Sequence, residues 1–420
     1  MKILWIVNSV LDDLNLFLYN KKGSGVWMEA LLADFKANAE HSLVVATVIP
    51  TKESIKYEKD GIVYYGLPDN YPILYNEKKK KNIQAWRDLL RVENPDIIHV
   101  FGTEFTHGLC ALRCNKEIPV ILHMQGILAS LARFYQTGIS NAEFRNCTLR
   151  DFLKRDSMKK KQKKYYQLSK KEREIICLSK NVISENEWCT AYVKAIAEAT
   201  NIYYRAESMN SVFFNTPWQS DKIKKYSIGC NASGYPIKGL HILLKAIALL
   251  KQKYPQVKLY VPGTPVIVEG GIKAWLRKSG YSKYIENLIK KLDLQDRVVW
   301  IGNKSQEELA KHNSTLHVFV MPSVIENHSN SLKEAMMQGI PCVASAVGGV
   351  TYYAVHNKNA LLYRPEEFEV LAYYLDKLFQ DEEYAKILAD EGRKTMKNIH
   401  QNEEIYKQTI EIYQQVLNSH

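Results

Sequence analysis

Apolar residues fall into two alternating rhythms along this chain. Short runs rich in Val, Ile and Leu alternate with longer stretches in which apolar residues return every three or four positions. The first rhythm reads as strands covered on both faces, the second as helices that bury one face. Residues 3–7, 43–49, 62–65, 97–100 and 120–123 are predicted strands, and 26–35 a predicted helix. Residues 175–183 are expected to return the chain to the sheet, and 201–204 to add a short strand. The alternation restarts after residue 226. Strands are predicted at 257–261, 298–301, 318–321, 341–345 and 361–363. Helices are predicted at 240–251, 282–292, 307–313, 330–338 and 366–379, followed by two more at 382–400 and 403–417. Such alternation predicts an α/β chain with mostly parallel sheets. The expected plan is a first domain at 1–218, a second at 219–395, and a last helix, 396–420, packing back on the first. Two α/β domains facing a cleft would gather ligands at the carboxyl ends of their strands.

Composition changes this picture little. The length of 420 residues suits two domains, and 46% hydrophobic with 24% charged residues is ordinary for a globular chain. The net charge of +12 favours anionic partners, such as nucleotides or an acidic membrane surface. Seven scattered cysteines form no CxxC pair and no metal-ligand spacing, which favours a reducing compartment. The start lacks a secretory pattern, because Asn8, Asp12 and Asp13 interrupt the apolar run, and no stretch is long enough to span a bilayer. A cytoplasmic protein is expected, with peripheral contact at the inner face of the membrane allowed.

The candidate chemistry centres on Glu326-Asn-His-Ser-Asn-Ser-Leu-Lys-Glu334. A helix beginning near Asn330 or Ser331 would offer unpaired amides and its positive dipole end to a diphosphate. The small residues Ser329, Asn330 and Ser331 would permit close approach. Glu334, on the first turns, could accept two ribose hydroxyls. Glu326, on the preceding loop, could bind a sugar hydroxyl or offset developing positive charge. On residues alone, a simple helix cap with both glutamates in water fits as well.

This stretch resembles the E-x7-E signature of the GT4 family of retaining glycosyltransferases, and Ala344-Ser-Ala-Val-Gly-Gly-Val350 matches the family too. The resemblance is strong in the second half and weak in the first. It implies the GT-B fold, with two Rossmann-like domains facing a central cleft. The first would bind the acceptor and the second a nucleotide-sugar. It implies that Glu326 sits near the donor sugar, that Glu334 holds the ribose, and that the amides of Asn330, Ser331 and Leu332 hold the diphosphate.

Further positions follow from the same resemblance. The loop Gly229-Cys-Asn-Ala-Ser-Gly-Tyr-Pro-Ile-Lys-Gly239 ends in Lys-Gly, so Lys238 would pair with the donor phosphates. Family members usually carry an arginine a few residues earlier; here Asn231, Ser233 and Tyr235 stand instead. Gly302 and Asn303 match a loop that touches the base. Gly23 and Gly25 match a glycine-rich loop facing the donor phosphate and acceptor. His123, ending a strand, matches a histidine that reaches the donor sugar, and His99 a wall of the site. A core histidine is the plain alternative for each. Arg205, near Glu207, could line the cleft or brace it, with an interdomain packing group the plainer expectation.

The expected activity is transfer of a sugar, with retention, from a nucleotide-diphosphate sugar to a hydroxyl of a glycan or lipid-linked acceptor. UDP- or GDP-sugars are favoured, no tightly bound cofactor or metal is required, and the pathway implied is surface polysaccharide or lipopolysaccharide synthesis. The alternative is a non-catalytic subunit that binds a glycan or nucleotide-sugar. Residues 150–173, with 11 basic and three acidic side chains among apolar ones, would suit an anionic membrane surface or form a solvated helix face. No motif for nucleic acid accompanies them.

Overall fold

Eight strands form the first sheet: β1 Lys2–Ile6, β2 Ser42–Ile49, β3 Ile55–Lys59, β4 Ile62–Pro68, β5 Ile97–Phe101, β6 Val120–His123, β7 Asn181–Ser184 and β8 Asn201–Tyr204. Their spatial order is β3-β4-β2-β1-β5-β6-β7-β8, parallel throughout except for the β3–β4 pair. Six strands form the second: β9 Ser227–Cys230, β10 Lys258–Pro262, β11 Val298–Gly302, β12 Val318–Met321, β13 Cys342–Ser345 and β14 Leu361–Tyr363. Their order is β11-β10-β9-β12-β13-β14, with every pair parallel. This computed structural model describes all residues except 22–25, 39, 70–74, 233, 266–270 and 272–275, with Val26 and Trp27 described by backbone alone.

The chain divides into two units, one around each sheet. The first comprises Met1–Leu128, Tyr166–Met209 and His400–His420; the second comprises Ala129–Tyr165 and Asn210–Ile399. In each sheet the chain moves outward from a central strand, returns, and moves outward the other way. The direction reverses between β1 and β5 in the first sheet and between β9 and β12 in the second. Helices departing to opposite sides leave a crevice at the carboxyl end of such a reversal.

Parallel sheets need cover on both faces, and the burial pattern provides it. Along β1, Ile3 and Trp5 face one way and Leu4 and Ile6 the other, yet all four are at most 1% exposed. The Ile3 face joins a core with Leu43, Val45, Ile97, Phe101, Ile121 and Ile183. The helix Asn402–Asn418 closes that core, burying Ile405, Thr409, Ile412, Tyr413 and Val416 at helical spacing. Its anchor is polar as well as apolar. Trp5 Nε1 donates to the Tyr413 hydroxyl at 3.0 Å, and that hydroxyl lies 2.6 Å from His99 Nδ1. Burial holds the His99 pKa well below its usual value, so the neutral ring accepts the tyrosine proton.

Residues 129–165 are bound into the second unit by directed contacts. Thr148 Oγ1 donates to the Lys278 carbonyl at 2.8 Å, and Gly280 N donates to Asp151 Oδ2 at 2.7 Å. His241 Nε2 lies 2.9 Å from the Thr137 carbonyl. The basic stretch forms two helices, Leu149–Lys154 and Met158–Ser179, separated at Arg155, whose φ of 52° is left-handed. Residues 175–183 do return the chain to the sheet, but only at their end. Ile175 and Ile176 are fully buried on the second of these helices, which runs to Ser179, and only Asn181–Ser184 is strand. Strand β3 and the helix Lys80–Glu93 are additions to the predicted elements.

Tyr413→Phe removes one hydroxyl and leaves two buried nitrogens without their partner. It is expected to cost about 2 kcal/mol, and Tyr413→Ala about 3–5 kcal/mol through the cavity it opens. Denaturant unfolding followed by tryptophan fluorescence measures both; equal stability of the phenylalanine variant and the wild type would contradict the anchor.

Candidate active site

The second sheet places its polar loops at one edge. The turn Pro236–Lys238 follows β9, the loop carrying Glu326 follows β12, and Gly348-Gly349 follows β13. Strands β9 and β12 are neighbours at the reversal of strand order, so the first two loops meet in the crevice. Backbone contacts fix them to each other. Val324 N donates to the Ile237 carbonyl at 2.9 Å, and Gly349 N to the Glu326 carbonyl at 3.1 Å. Two glycines make this spacing possible. Gly239 has φ +70°, and a Cβ there would stand 1.8 Å from the Pro322 carbonyl oxygen. Gly348 has φ +49°, and its Cβ would stand 1.9 Å from the Glu326 carbonyl oxygen. Any side chain at either position would force the loops apart.

The result is a direct ion pair. Lys238 Nζ lies 2.7 Å from Glu326 Oε1, and Ser323 Oγ donates to the same oxygen at 2.8 Å. The lysine side chain is 31% exposed and the glutamate 14%, so the pair is reachable from solvent yet only partly screened by it. Burial acts to lower the Lys238 pKa, but the neighbouring Glu326 carboxylate more than reverses this and holds it above the usual value. The ammonium is therefore charged at neutral pH.

The helix Asn330–Gln338 begins three residues after Asn327, with Ser329 at its N-cap and Gly339 (φ 76°) ending it. Serine is a favoured capping residue, yet Ser329 makes no side-chain cap bond. Its hydroxyl lies 3.2 Å from that of Ser331, and its own amide donates to the Tyr353 hydroxyl at 3.1 Å. The amides of the first turn are thus left uncapped by this residue, beside an Asn330 Oδ1 that is buried without a partner among the described residues. That is the condition in which a helix N-terminus holds an anion. The Leu332 side chain is fully buried, so only its backbone can serve this edge. Glu334 is partly buried and has no hydrogen bond or ion pair among the described residues, and burial alone pushes its pKa up to about 8.

The other expected residues fall in several places. Gly302 ends β11, the edge strand, with φ +70° and open space where a Cβ would be, and Asn303 is exposed beside it. They share the carboxyl edge with Lys238 and Glu326 but stand beyond β10. Gly23, Gly25 and Ser233 lie outside the described residues. His123 and His99 belong to the first unit, and both are 0% exposed. Arg205 Nη2 donates to His123 Nδ1 at 3.1 Å, and His123 Nε2 is 3.7 Å from Glu185 Oε1. Burial lowers its pKa, so the imidazole is neutral. Arg205, also buried, donates its other arm to Thr409 at 2.9 Å. The donor atoms of His123, Glu185 and Glu207 lie within 4.8 Å of one another, as a metal site would require. The Arg205 guanidinium, bonded to the same imidazole, already supplies a cation there. Ser323, Tyr353 and the backbone partners of Gly239 and Gly348 went unnoticed in the sequence. A serine three residues before Glu326 is the one signal that could have found Ser323.

The two units together have the GT-B fold. Sucrose-phosphate synthase from Thermosynechococcus elongatus superposes with a TM-score of 0.70 at 19% identity, covering 100% of both chains. HepE of Anabaena, solved in complex with UDP-glucose, superposes with a TM-score of 0.67 at 15% identity, again over 100% of both. At such identities the likeness is one of fold. Sequence speaks for the second unit more specifically: residues 217–395 match the family of group 1 glycosyl transferases, a match lying wholly inside that unit. The uncharacterised glycosyltransferase YqgM of Bacillus subtilis (strain 168) is 30% identical over 184 residues, 44% of this chain and 47% of that protein. The aligned region thus spans about half the length of that relative.

The raised pKa of Glu334 has a signed consequence. The native state keeps a proton that the unfolded chain gives up from its ordinary glutamate value, so stability is full below about pH 4.5 and falls as pH rises to about 8. Glu334→Gln removes this slope. The two proteins are expected to diverge by on the order of 3 kcal/mol between pH 5 and 8.5, with the glutamine variant more stable at the alkaline end. Denaturant midpoints measured across that range check it; parallel curves would show that Glu334 is ionised throughout.

Proposed function

We propose that the chain is a retaining glycosyltransferase of the GT4 kind. It moves a sugar from a nucleotide-diphosphate donor, UDP- or GDP-linked, to a hydroxyl of a glycan or lipid-linked acceptor in surface polysaccharide synthesis. One observation carries the reading: the Lys238–Glu326 pair stands at the strand-order reversal of the second sheet, in the unit that also holds the uncapped helix N-terminus at Asn330. A cation, amides that Ser329 does not cap, the Glu326 carboxylate and the Glu334 carboxyl group meet the separate needs of a diphosphate, a sugar and a ribose. HepE, solved with UDP-glucose, supports a nucleotide-sugar donor. In this reading the second unit takes the donor and the first the acceptor.

The incoming diphosphate competes with Glu326 for Lys238. Exchange of that partner leaves Lys238 and the amides of Asn330, Ser331 and Leu332 on the phosphates, while Glu326 faces the sugar. Glu334 accepts the ribose hydroxyls, and Gly302 and Asn303 border the base. As the bond from the anomeric carbon to the diphosphate oxygen breaks, positive charge grows on the ring near Glu326 and negative charge on the phosphate near Lys238. The acceptor oxygen bonds to the same face of that carbon, and its proton passes to the departing phosphate oxygen. His123 acts through its neighbours in the first unit, as a positioning group. Glu326→Ala and Lys238→Ala are each expected to lower transfer by about 100-fold or more with folding intact. Nucleotide release from UDP- and GDP-sugars in the presence of cell glycan extract measures it. The absence of an arginine between residues 228 and 238 favours the second reading, a subunit that binds without turnover. Binding with no release from any donor would select it.

The partner surface proposed for the basic stretch is an anionic membrane. No helix among the described residues is long and apolar enough to cross a bilayer. Phe152 and Leu153 are 66% and 71% exposed on the helix Leu149–Lys154, and Lys154, Arg155, Lys159 and Lys160 are exposed close by in sequence. Exposed apolar tips among cations suit the headgroup region of acidic lipid. Sedimentation with phosphatidylglycerol vesicles is expected, and it should weaken at least tenfold in a Phe152→Ser, Lys159→Glu, Lys160→Glu variant. Equal binding by that variant would remove the membrane from the reading.

A further inference from the structure

The first sheet has its own strand-order reversal, between β1 and β5, and polar side chains gather at its carboxyl edge. Asn8 follows β1, Glu104 follows β5, and Gln125 follows β6. Each is partly exposed. Asn8 Nδ2 donates to Glu104 Oε2 at 2.8 Å. Gly102 lies beneath them with φ +80°, its amide donating to the His123 carbonyl at 2.8 Å. A Cβ on Gly102 would stand 2.1 Å from Glu104 Oε2, 2.6 Å from Asn8 Nδ2 and 2.9 Å from Gln125 Oε1. The three side-chain heads therefore converge on the space that a side chain at position 102 would fill. A Cβ on Gly126 would meet the other glutamate oxygen at 3.3 Å. Convergence alone could be structural, but Gln125 Nε2 is buried and, among the described residues, donates to nothing. A native fold rarely leaves a buried amide donor unpaired unless something else pairs with it.

We propose that Asn8, Glu104 and Gln125, gathered over Gly102, form a subsite for adjacent hydroxyls of a neutral sugar. Glu104 accepts from one hydroxyl and Gln125 Nε2 donates to the next, the complementary pair that a vicinal diol presents. The charged member is a carboxylate, so a phosphate is repelled where a hydroxyl is held. This deepens the transferase reading and rests on it for the meaning of the ligand: the acceptor presents an unphosphorylated sugar to the first unit. The binding claim itself stands apart from catalysis.

The test uses the full chain and direct binding. Methyl glycosides of glucose, galactose and N-acetylglucosamine, with glucose 6-phosphate as the charged counterpart, are titrated by saturation-transfer NMR, and UDP is titrated in parallel. At least one methyl glycoside should bind saturably, and glucose 6-phosphate more weakly. Glu104→Gln and Asn8→Ala should each weaken the glycoside at least tenfold while UDP affinity stays within twofold. If Glu104→Gln fails to fold by circular dichroism, Asn8→Ala carries the test. Glycoside binding unchanged in the folded variants, tighter binding of glucose 6-phosphate, or no saturable glycoside binding into the tens of millimolar overturns the subsite. Loss of UDP binding in the wild type would instead strike the donor reading and leave the glycoside result to decide this one.

Discussion

Both sheets are covered on both faces, and that constraint decides where chemistry can occur. A strand such as β1, with neighbouring residues facing opposite ways and all buried, has no side chain to offer a ligand along its length. Polar groups are pushed to the strand ends, and the reversal of strand order opens a crevice at one of them. The same rule operates twice. In the second sheet it brings the β9 and β12 loops together, and with them Lys238 and Glu326. In the first it brings the β1, β5 and β6 loops together over Gly102.

Electrostatics separates the two edges. The second carries a charged lysine balanced by a glutamate, with uncapped amides on a helix of the same unit. In the proposed reading, the Lys238 cation changes partners when the donor diphosphate arrives. The first carries a carboxylate among amides and suits hydroxyls. Glycines set both geometries by absence: Gly239 and Gly348 let carbonyls approach to distances that no side chain allows, and Gly102 leaves room for three side-chain heads.

The fold was largely legible because parallel strands write themselves as short apolar runs. Five of the six strands of the second sheet have counterparts in the predicted apolar runs; β9, Ser227–Cys230, reads instead as the start of a glycine-containing loop. Strand β3 was not legible, since Ile55-Lys-Tyr-Glu-Lys59 is an antiparallel edge with alternating exposure. The helix after Met158 hid the start of β7, because Ile175 and Ile176 are as apolar as a strand and only the left-handed Lys180 marks the change. Within the candidate site, Glu326 and Glu334 were candidates by residue type and spacing, while Lys238 followed only from the family resemblance. Ser323 and Tyr353 did not stand out, because a hydroxyl that positions a loop has no local pattern. Nor did sequence order show that residues 129–165 join the second unit. Their contacts, such as Asp151 to Gly280, are more than a hundred positions apart. His123 could be read as a strand-end histidine, but its partner Arg205 is held in turn by Thr409 of the helix Asn402–Asn418, which no local pattern shows.

The Trp5–Tyr413 hydrogen bond spans 408 positions, and this separation governs the order in which the molecule can be made. A chain leaving the ribosome presents β1 long before the helix that covers it. Until that helix emerges, one face of the first sheet lacks its lid. The second unit, drawn from residues 129–165 and 210–399, can complete its own core before that lid emerges. Completion therefore runs against sequence order: the unit that holds β1 cannot close its core until residues 402–418 are made, and one apolar face of its sheet stays uncovered until then.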